Sequence, residues 1–251
     1  MMEILVTNDD GWGAKGILTL VRLMRQLGHV TVIAPDSARS GQSNAISVGI
    51  PLFMNRQKPS EGYEDVDVYL TNGTPSDCIK LAVNTVFKER FPDLVVSGIN
   101  HGSNAAVNVI YSGTMGACFV AAEQGIPAIG FSICDHNLDA DFSQFEPYIL
   151  SLTTKIMSLP HKYGISYNIN APVGDIQGVK LTRQCKGNWA DEFPPQTDAD
   201  GNTCYMLTGH FVNREPDAED TDEWALAHGY ISVTPATLDT TDYTILETLQ
   251  H

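Results

Sequence analysis

Along the first 135 positions, unbroken apolar runs alternate with stretches whose apolar residues recur every three or four positions. The runs Ile4-Leu5-Val6, "VTVIAPD" and "DLVVSGIN" are short and rich in β-branched residues, which predicts buried strands. Between the first two, "GILTLVRLMRQLG" places Ile17, Leu20, Val21, Met24 and Leu27 on one helical face, with Gly28 predicted as the C-cap. Strand, helix and strand in that order make a βαβ unit, and such crossovers are right-handed, so two parallel neighbours are expected. Thr74-Pro75 opens a second helix, with Thr as N-cap, Pro at the first helical position and Asp77 in the first turn, running through "CIKLAVNTVFKERF". "AISVGIPLFM" and "VDVYLT" read as β pieces, "GTMGACFVAAEQG" as a small-residue helix closed by Gly125, and "IPAIGFSIC" as a further strand.

Beyond residue 140 the rhythm changes. One more helix, "FEPYILSLTTKIMSL", precedes "YNINAP", "VKLTR", "TCYMLTG" and "YISVTP", which read as strands without regular helices between them. The carboxylate-rich "REPDAEDTDEWALAHG" reads as a solvated loop or helix start. The expected architecture is therefore an α/β, Rossmann-like, doubly wound, mostly parallel sheet over 1–140, with a helix and a β-rich C-terminal extension or arm over 141–251. That second part is expected to pack on the sheet's edge and to take part in oligomerisation.

Composition narrows the function classes. Fifteen Lys and Arg against 30 Asp and Glu give a net charge of −15, a surface that repels a polyphosphate backbone, so long nucleic acid is not expected as a partner. A small anionic substrate requires a local reversal of that field by a metal ion or a helix N-terminus. Met1-Met2-Glu3 has no basic stretch of a secretory signal, and no apolar run is long enough for a membrane span, so a soluble cytoplasmic protein is expected. The five cysteines are odd in number and lack a C-x-x-C pair, as reduced buried thiols would.

The candidate chemistry lies where the strands end. Gly11-Trp12-Gly13-Ala14-Lys15-Gly16 matches the G-x-G-x-x-G string of dinucleotide-binding folds, and Asp36 stands twenty residues past Gly16, where a ribose-binding acid would be. In that fingerprint, however, bare backbone N–H groups meet a pyrophosphate in the turn off the strand, and here Asp9 and Asp10 occupy the turn. Two adjacent carboxylates suit a hard divalent cation, Mg²⁺ or Mn²⁺. "SGINHGSN" adds Asn100, a neutral oxygen donor flanked by glycines, and "IYSGTMGA" sets Ser112, Gly113 and Thr114 at a helix N-terminus, an anion cradle. His101 could donate a proton to a leaving oxygen, although a loop histidine beside glycines is more often a hydrogen-bonded structural residue, and Tyr111, Trp189 and Tyr205 could stack a base, although such aromatics are usually core or interface.

"ILVTNDDG", "VIAPDSARSGQS", "DLVVSGINHGSN" and "VIYSGTMGA", in that order, resemble the motifs of the SurE family of 5′/3′-nucleotidases, and "YISVTP" is similar to that family's C-terminal segment. The resemblance implies one divalent metal ion per subunit. It also implies hydrolysis of nucleoside 5′- and 3′-monophosphates to nucleoside and phosphate, with short polyphosphate as a further substrate. A homodimer or homotetramer built partly by exchange of C-terminal segments follows as well. By the same resemblance the metal ligands fall on Asp9, Asp10, Ser40 and Asn100, and the phosphate contacts on Asn104, Ser112, Gly113 and Thr114. Asp9 or Asp10 would also take the proton from the attacking water. Two other classes remain in view: a non-catalytic nucleotide- or dinucleotide-binding module, and an assembly protein whose second half carries the function.

Overall fold

A computed structural model describes residues 1–249. In chain order the elements are β1 (Met2–Thr7), α1 (Lys15–Met24), β2 (Gly28–Pro35), β3 (Met54–Arg56), β4 (Asp67–Thr71), α2 (Pro75–Asn84) and β5 (Leu94–His101). A 3₁₀ turn (Ala106–Ile110) leads to α3 (Gly113–Glu123), β6 (Ala128–Ile133), α4 (Glu146–Met157), β7 (Ile165–Ala171), β8 (Gly178–Leu181) and β9 (Gly187–Ala190). The chain continues with β10 (Pro195–Thr197), β11 (Thr203–Tyr205), β12 (His210–Asn213), α5 (Asp222–Ala227), β13 (Tyr230–Thr237) and α6 (Tyr243–Leu249).

Nine strands form one sheet in the order β3-β4-β2-β1-β5-β6-β7-β13-β8. The six strands from β4 to β7 are mutually parallel, and numbered among themselves they run 3-2-1-4-5-6, the doubly wound order. Because successive side chains of a strand face opposite ways, Ile4 and Val6 join one core, packed with α1 and α4. Leu5 joins the other, packed with α2 and α3. Helices thus cover both faces, and all three of these β1 side chains are fully buried. The strand order reverses between β1 and β5, so a crevice opens beyond their carboxyl ends.

The capping box at Thr74 is present: the Asp77 N–H donates to Thr74 Oγ1 at 3.1 Å and the Thr74 N–H to Asp77 Oδ2 at 2.9 Å. Four local expectations are corrected. Helix α1 ends at Met24, and Gly28 is no C-cap but the first residue of β2, paired with Met2. Helix α2 stops at Asn84 instead of continuing to Phe91, because the Phe87 N–H turns back to the Ala82 carbonyl and buries the ring in the core behind α2. No strand forms over 45–52, where Ile46, Val48 and Ile50 stand exposed. The acidic run before α5 is not solvated throughout: Asp222 is fully buried and accepts from the backbone N–H groups of Ala106 (2.8 Å) and Cys185 (2.9 Å).

After residue 140, α4 covers one face, and β7, β13 and β8 extend the same sheet, β13 antiparallel to β7 and parallel to β8. The β9–β12 ribbon and the β10–β11 hairpin leave the sheet as an arm.

Candidate active site

At the end of β1 the chain turns through Asn8, Asp9, Asp10 and Gly11. The buried Asn8 side chain donates to the Gly11 carbonyl at 2.9 Å and so fixes the turn. That turn delivers Asp9 to the N-terminus of α3. Thr114 Oγ1 donates to Asp9 Oδ1 at 2.6 Å, and a β-carbon added to Gly113 would lie 3.1 Å from Asp9 Oδ2. A side chain there would crowd the carboxylate, so glycine eases the close approach of the helix N-terminus. Asp9 is 4 % exposed. Burial pushes its carboxyl up to about 6, Thr114 pulls it down in part, and the neighbouring Asp10 charge pushes it up again.

Asp10 is held by β5. Its Oδ2 accepts from His101 Nδ1 at 3.0 Å and, more weakly, from the His101 backbone N–H at 3.4 Å. The local irregularity of β5 makes this contact possible. Its register to β6 shifts between Ser97 and Asn100, and Gly98 at φ +121° sits where a β-carbon would be 2.2 Å from the Phe131 carbonyl oxygen. The bulge re-aims Asn100 and His101 toward the end of β1. Asn100 Nδ2 donates to the Gly102 carbonyl at 2.7 Å, which fixes the amide and leaves Oδ1 without a partner among the described residues. The His101 side chain is 3 % exposed, packs against the Phe142 ring with centroids 5.6 Å apart, and has a buried Nε2 with no partner among the described residues. The contact between His101 Nδ1 and the carboxylate orients Asp10.

The other two loops close on this turn. The Arg39 N–H donates to the Asp9 carbonyl at 2.7 Å, fastening the 36–43 loop to it, and Ser40 follows with its residue exposed. The Ser43 N–H donates to the Tyr111 carbonyl at 3.0 Å and ties that loop to the start of α3. Ser112 caps α3, accepting from the Met115 N–H at 3.0 Å. The hydroxyl of Thr114 is engaged with Asp9, so what this turn offers an anion is its first-turn backbone N–H groups and the helix dipole. Asn104 belongs to a buried amide ladder that the sequence reading missed. Its N–H donates to Asn170 Oδ1 (2.8 Å) and its Nδ2 to Ser132 Oγ (2.8 Å), and its carbonyl accepts from Asn168 Nδ2 (2.7 Å). The signal was available: Asn168 and Asn170 in "YNINAP" are two apart in a buried strand and therefore face the same way.

Neither Asp9 nor Asp10 pairs with Lys or Arg among the described residues, and no cluster there combines three or more His, Cys, Asp and Glu. Two carboxylates with neutral amide and hydroxyl oxygens form a hard-oxygen donor set, the kind that holds a small divalent cation with waters and substrate oxygens completing its shell. The raised Asp9 carboxyl fits the same demand, since a bound cation would compensate two adjacent charges that nothing else neutralises.

The chain is similar over nearly its whole length to proteins of one family. The family model described as "Survival protein SurE" matches residues 4–191. The chain is 45 % identical to the 5′-nucleotidase SurE of Flavobacterium psychrophilum over 99 % of this chain and 96 % of that protein. It is 44 % identical to the protein of that name from Cytophaga hutchinsonii, over 99 % of this chain and 95 % of that one. Among solved structures, the SurE protein from Aquifex aeolicus superposes with a TM-score of 0.83 at 31 % identity, covering 99 % of this chain and 98 % of the other.

Proposed function

The chain belongs to the SurE family, and from that premise we propose that it is a 5′-nucleotidase. It hydrolyses nucleoside monophosphates to nucleoside and inorganic phosphate with one Mg²⁺ or Mn²⁺ per subunit. The observation that carries this reading is the buried Asp9 carboxylate set against the N-terminus of α3 with Asp10 beside it. This arrangement pairs a cation site with an anion cradle at the switch point of the sheet.

Asp9, Asp10, Ser40 and Asn100 would hold the cation. When bound, it lowers the pKa of a coordinated water and offsets the charge that builds on the phosphoryl oxygens. The chain's own groups supply position and proton transfer. The first-turn N–H groups at Ser112, Gly113 and Thr114 orient the phosphate, and the second hydrogen on Asn104 Nδ2 is available to it as well. Asp9 Oδ2, the oxygen that Thr114 does not hold, takes the proton from the attacking water. His101 keeps Asp10 in one orientation. The 3′-monophosphates and short polyphosphate present the same terminal group and count as further substrates in this reading.

A dinucleotide clamp finds no support in the turn. The Gly11 carbonyl is bonded by Asn8 and by the Ala14 N–H, and Gly16 is glycine because a β-carbon would lie 2.1 Å from the Ile99 carbonyl oxygen. The string thus serves helix-to-strand packing. A homodimer or homotetramer is supported by Phe193, Met206, Leu207, Ile245 and Leu249, large apolar residues exposed on the arm and on α6. A cytoplasmic location is supported by five cysteines without a disulfide, three of them buried, and among the described residues no helix is long and apolar enough to cross a membrane.

The test is phosphate release from AMP with Mg²⁺ or Mn²⁺ and with EDTA in their place. Hydrolysis is expected only with the metal. Asp9→Asn should lower kcat by about 10³-fold or more, and near-normal turnover in that variant would remove Asp9 from the reaction.

A further inference from the structure

A sheet face that is buried is ordinarily apolar, and on one side of β6 and β7 it is: Ile129, Phe131, Ile133 and Ile169 belong to the core packed with α4. The opposite face of the same two strands is polar and just as deeply buried. Ser132, Asn168 and Asn170 are each at most 2 % exposed. Register sets them together, with Ser132 of β6 opposite Asn170 of β7 and Gly130, which has no side chain, opposite Asn168. Buried amides and hydroxyls are costly unless something on that face needs their hydrogen bonds. What needs them here is loop backbone, because the chain leaving β5 crosses these strands at Asn104, and Ala105 and Ala106 beyond it are fully buried.

The bonds form a closed circuit. The Asn104 N–H donates to Asn170 Oδ1 at 2.8 Å, Asn170 Nδ2 donates to Asn168 Oδ1 at 2.9 Å, and Asn168 Nδ2 donates to the Asn104 carbonyl at 2.7 Å. The circuit has one direction only. Exchanging oxygen and nitrogen in the Asn170 amide would set two donors face to face at the Asn104 N–H, and the same exchange in Asn168 would set two acceptors face to face at the Asn104 carbonyl. Two side chains of β7 thus grip both backbone groups of Asn104, while Ser132 Oγ of β6 accepts one hydrogen of its Nδ2 at 2.8 Å.

We propose that Asn168 and Asn170 are positioning residues, which hold Asn104 in the one orientation that aims its second Nδ2 hydrogen at the phosphoryl group of the substrate. The assignment rests on the nucleotidase reading above and deepens it. A second feature shows that this loop is held from outside. Ala106 lies in the left-handed region at φ +49°, a conformation that persists in an alanine only where its surroundings impose it, and its N–H is taken by the buried Asp222 at 2.8 Å. Anchored to β7 on one side and to the start of α5 on the other, Asn104 takes its position from the rigid sheet, as a precise contact to a reacting group requires.

The test is calorimetric titration of the Mn²⁺-loaded protein with inorganic phosphate, alongside KM for AMP. Asn170→Ala leaves the Asn104 N–H without its acceptor, and Ser132→Ala releases the Asn104 amide at the loss of a single atom. Both are expected to weaken phosphate binding and raise KM about tenfold, with the apparent affinity for Mn²⁺ unchanged. The double variant of Asn170→Ala with Asn104→Ala is expected to bind phosphate no more weakly than Asn104→Ala alone, since Asn170 acts only through Asn104. Losses that multiply in the double variant would make Asn170 a general support of the fold and overturn the assignment, as would unchanged phosphate affinity in both single variants. If Asn170→Ala does not fold, Ser132→Ala and its double variant with Asn104→Ala decide in the same way. AMP hydrolysis by the parent with unaltered phosphate binding in the variants ends the positioning role alone. Phosphate binding that the variants weaken, in a parent that does not hydrolyse AMP, keeps that role and ends the nucleotidase reading.

Discussion

At the scale of single residues, the site is decided by which polar atoms are already engaged. Thr114 gives its hydroxyl proton to Asp9 and His101 gives Nδ1–H to Asp10, so each acid arrives with one oxygen fixed by a hydrogen bond. These partners act on the acids as outer-shell groups act on metal ligands, fixing orientation without touching substrate. His101→Leu keeps the backbone N–H and the fit against Phe142 but removes the ring donor. It is expected to weaken the apparent affinity for Mn²⁺ about tenfold to a hundredfold in activity titrations, with KM for AMP at saturating Mn²⁺ nearly unchanged. A lowered kcat at saturating metal with no change in metal affinity would instead make His101 a proton donor. The sequence could pick out Asp9, Asp10, Asn100 and the Ser112 turn because residue type and position at strand ends carry that chemistry. It could not show the role of His101, since a loop histidine beside glycines reads alike whether its ring faces solvent or Phe142.

At the scale of elements, the legible parts were those whose signals are local. The Thr74 capping box, the alternating strands of the parallel half and the small-residue α3 are written in neighbouring residues. The pairing of β13 between β7 and β8 is not, because it joins segments far apart in the chain and no periodicity announces a partner. The start of α5 shows the same limit. Read as a solvated loop or helix start, it is a helix start, but it contains the buried Asp222, which anchors the 3₁₀ turn and the segment after β8 from the interior. Beside it, burial first and the Asp222 charge second push the Glu223 carboxyl from its ordinary 4.5 up to about 7. The folded chain therefore binds that proton more tightly than the unfolded one. The resulting stabilisation is complete below about pH 4.5 and is lost as pH rises through 7. Glu223→Gln removes this dependence. Its stability relative to the parent, from urea unfolding, should rise by about 1 kcal/mol between pH 5 and pH 8, a value reduced for the solvent on its open side. A difference that does not change with pH would show that Glu223 titrates normally.

At the scale of the whole molecule, the distribution of apolar surface poses the remaining question. The parallel sheet is sealed on both faces, yet the arm and the C-terminal helix carry their apolar residues outward: Phe193, Tyr205, Met206 and Leu207 on one, Tyr243, Ile245, Leu246 and Leu249 on the other. Helix α6 has seven residues and none of them is buried. So short a helix gains little from its own hydrogen bonds, and most helical stability in proteins comes from packing an apolar face. In the homo-oligomer proposed above, a second copy of the chain would place such a face against the same set of arms, and closed symmetric pairs are the commonest form of soluble oligomer. The high negative charge does not forbid this, since salt at physiological strength screens exposed charges beyond about 8 Å. Light scattering of the full chain is expected to give twice the monomer mass or an even multiple of it. Leu246→Ser combined with Leu249→Ser is expected to shift the population toward monomer, with the sheet's far-ultraviolet signature retained. A parent that runs as a monomer at micromolar concentration would mean that the arm and α6 are covered by something other than this chain, and would leave the β1–β5 crevice as the part of the reading that needs no partner.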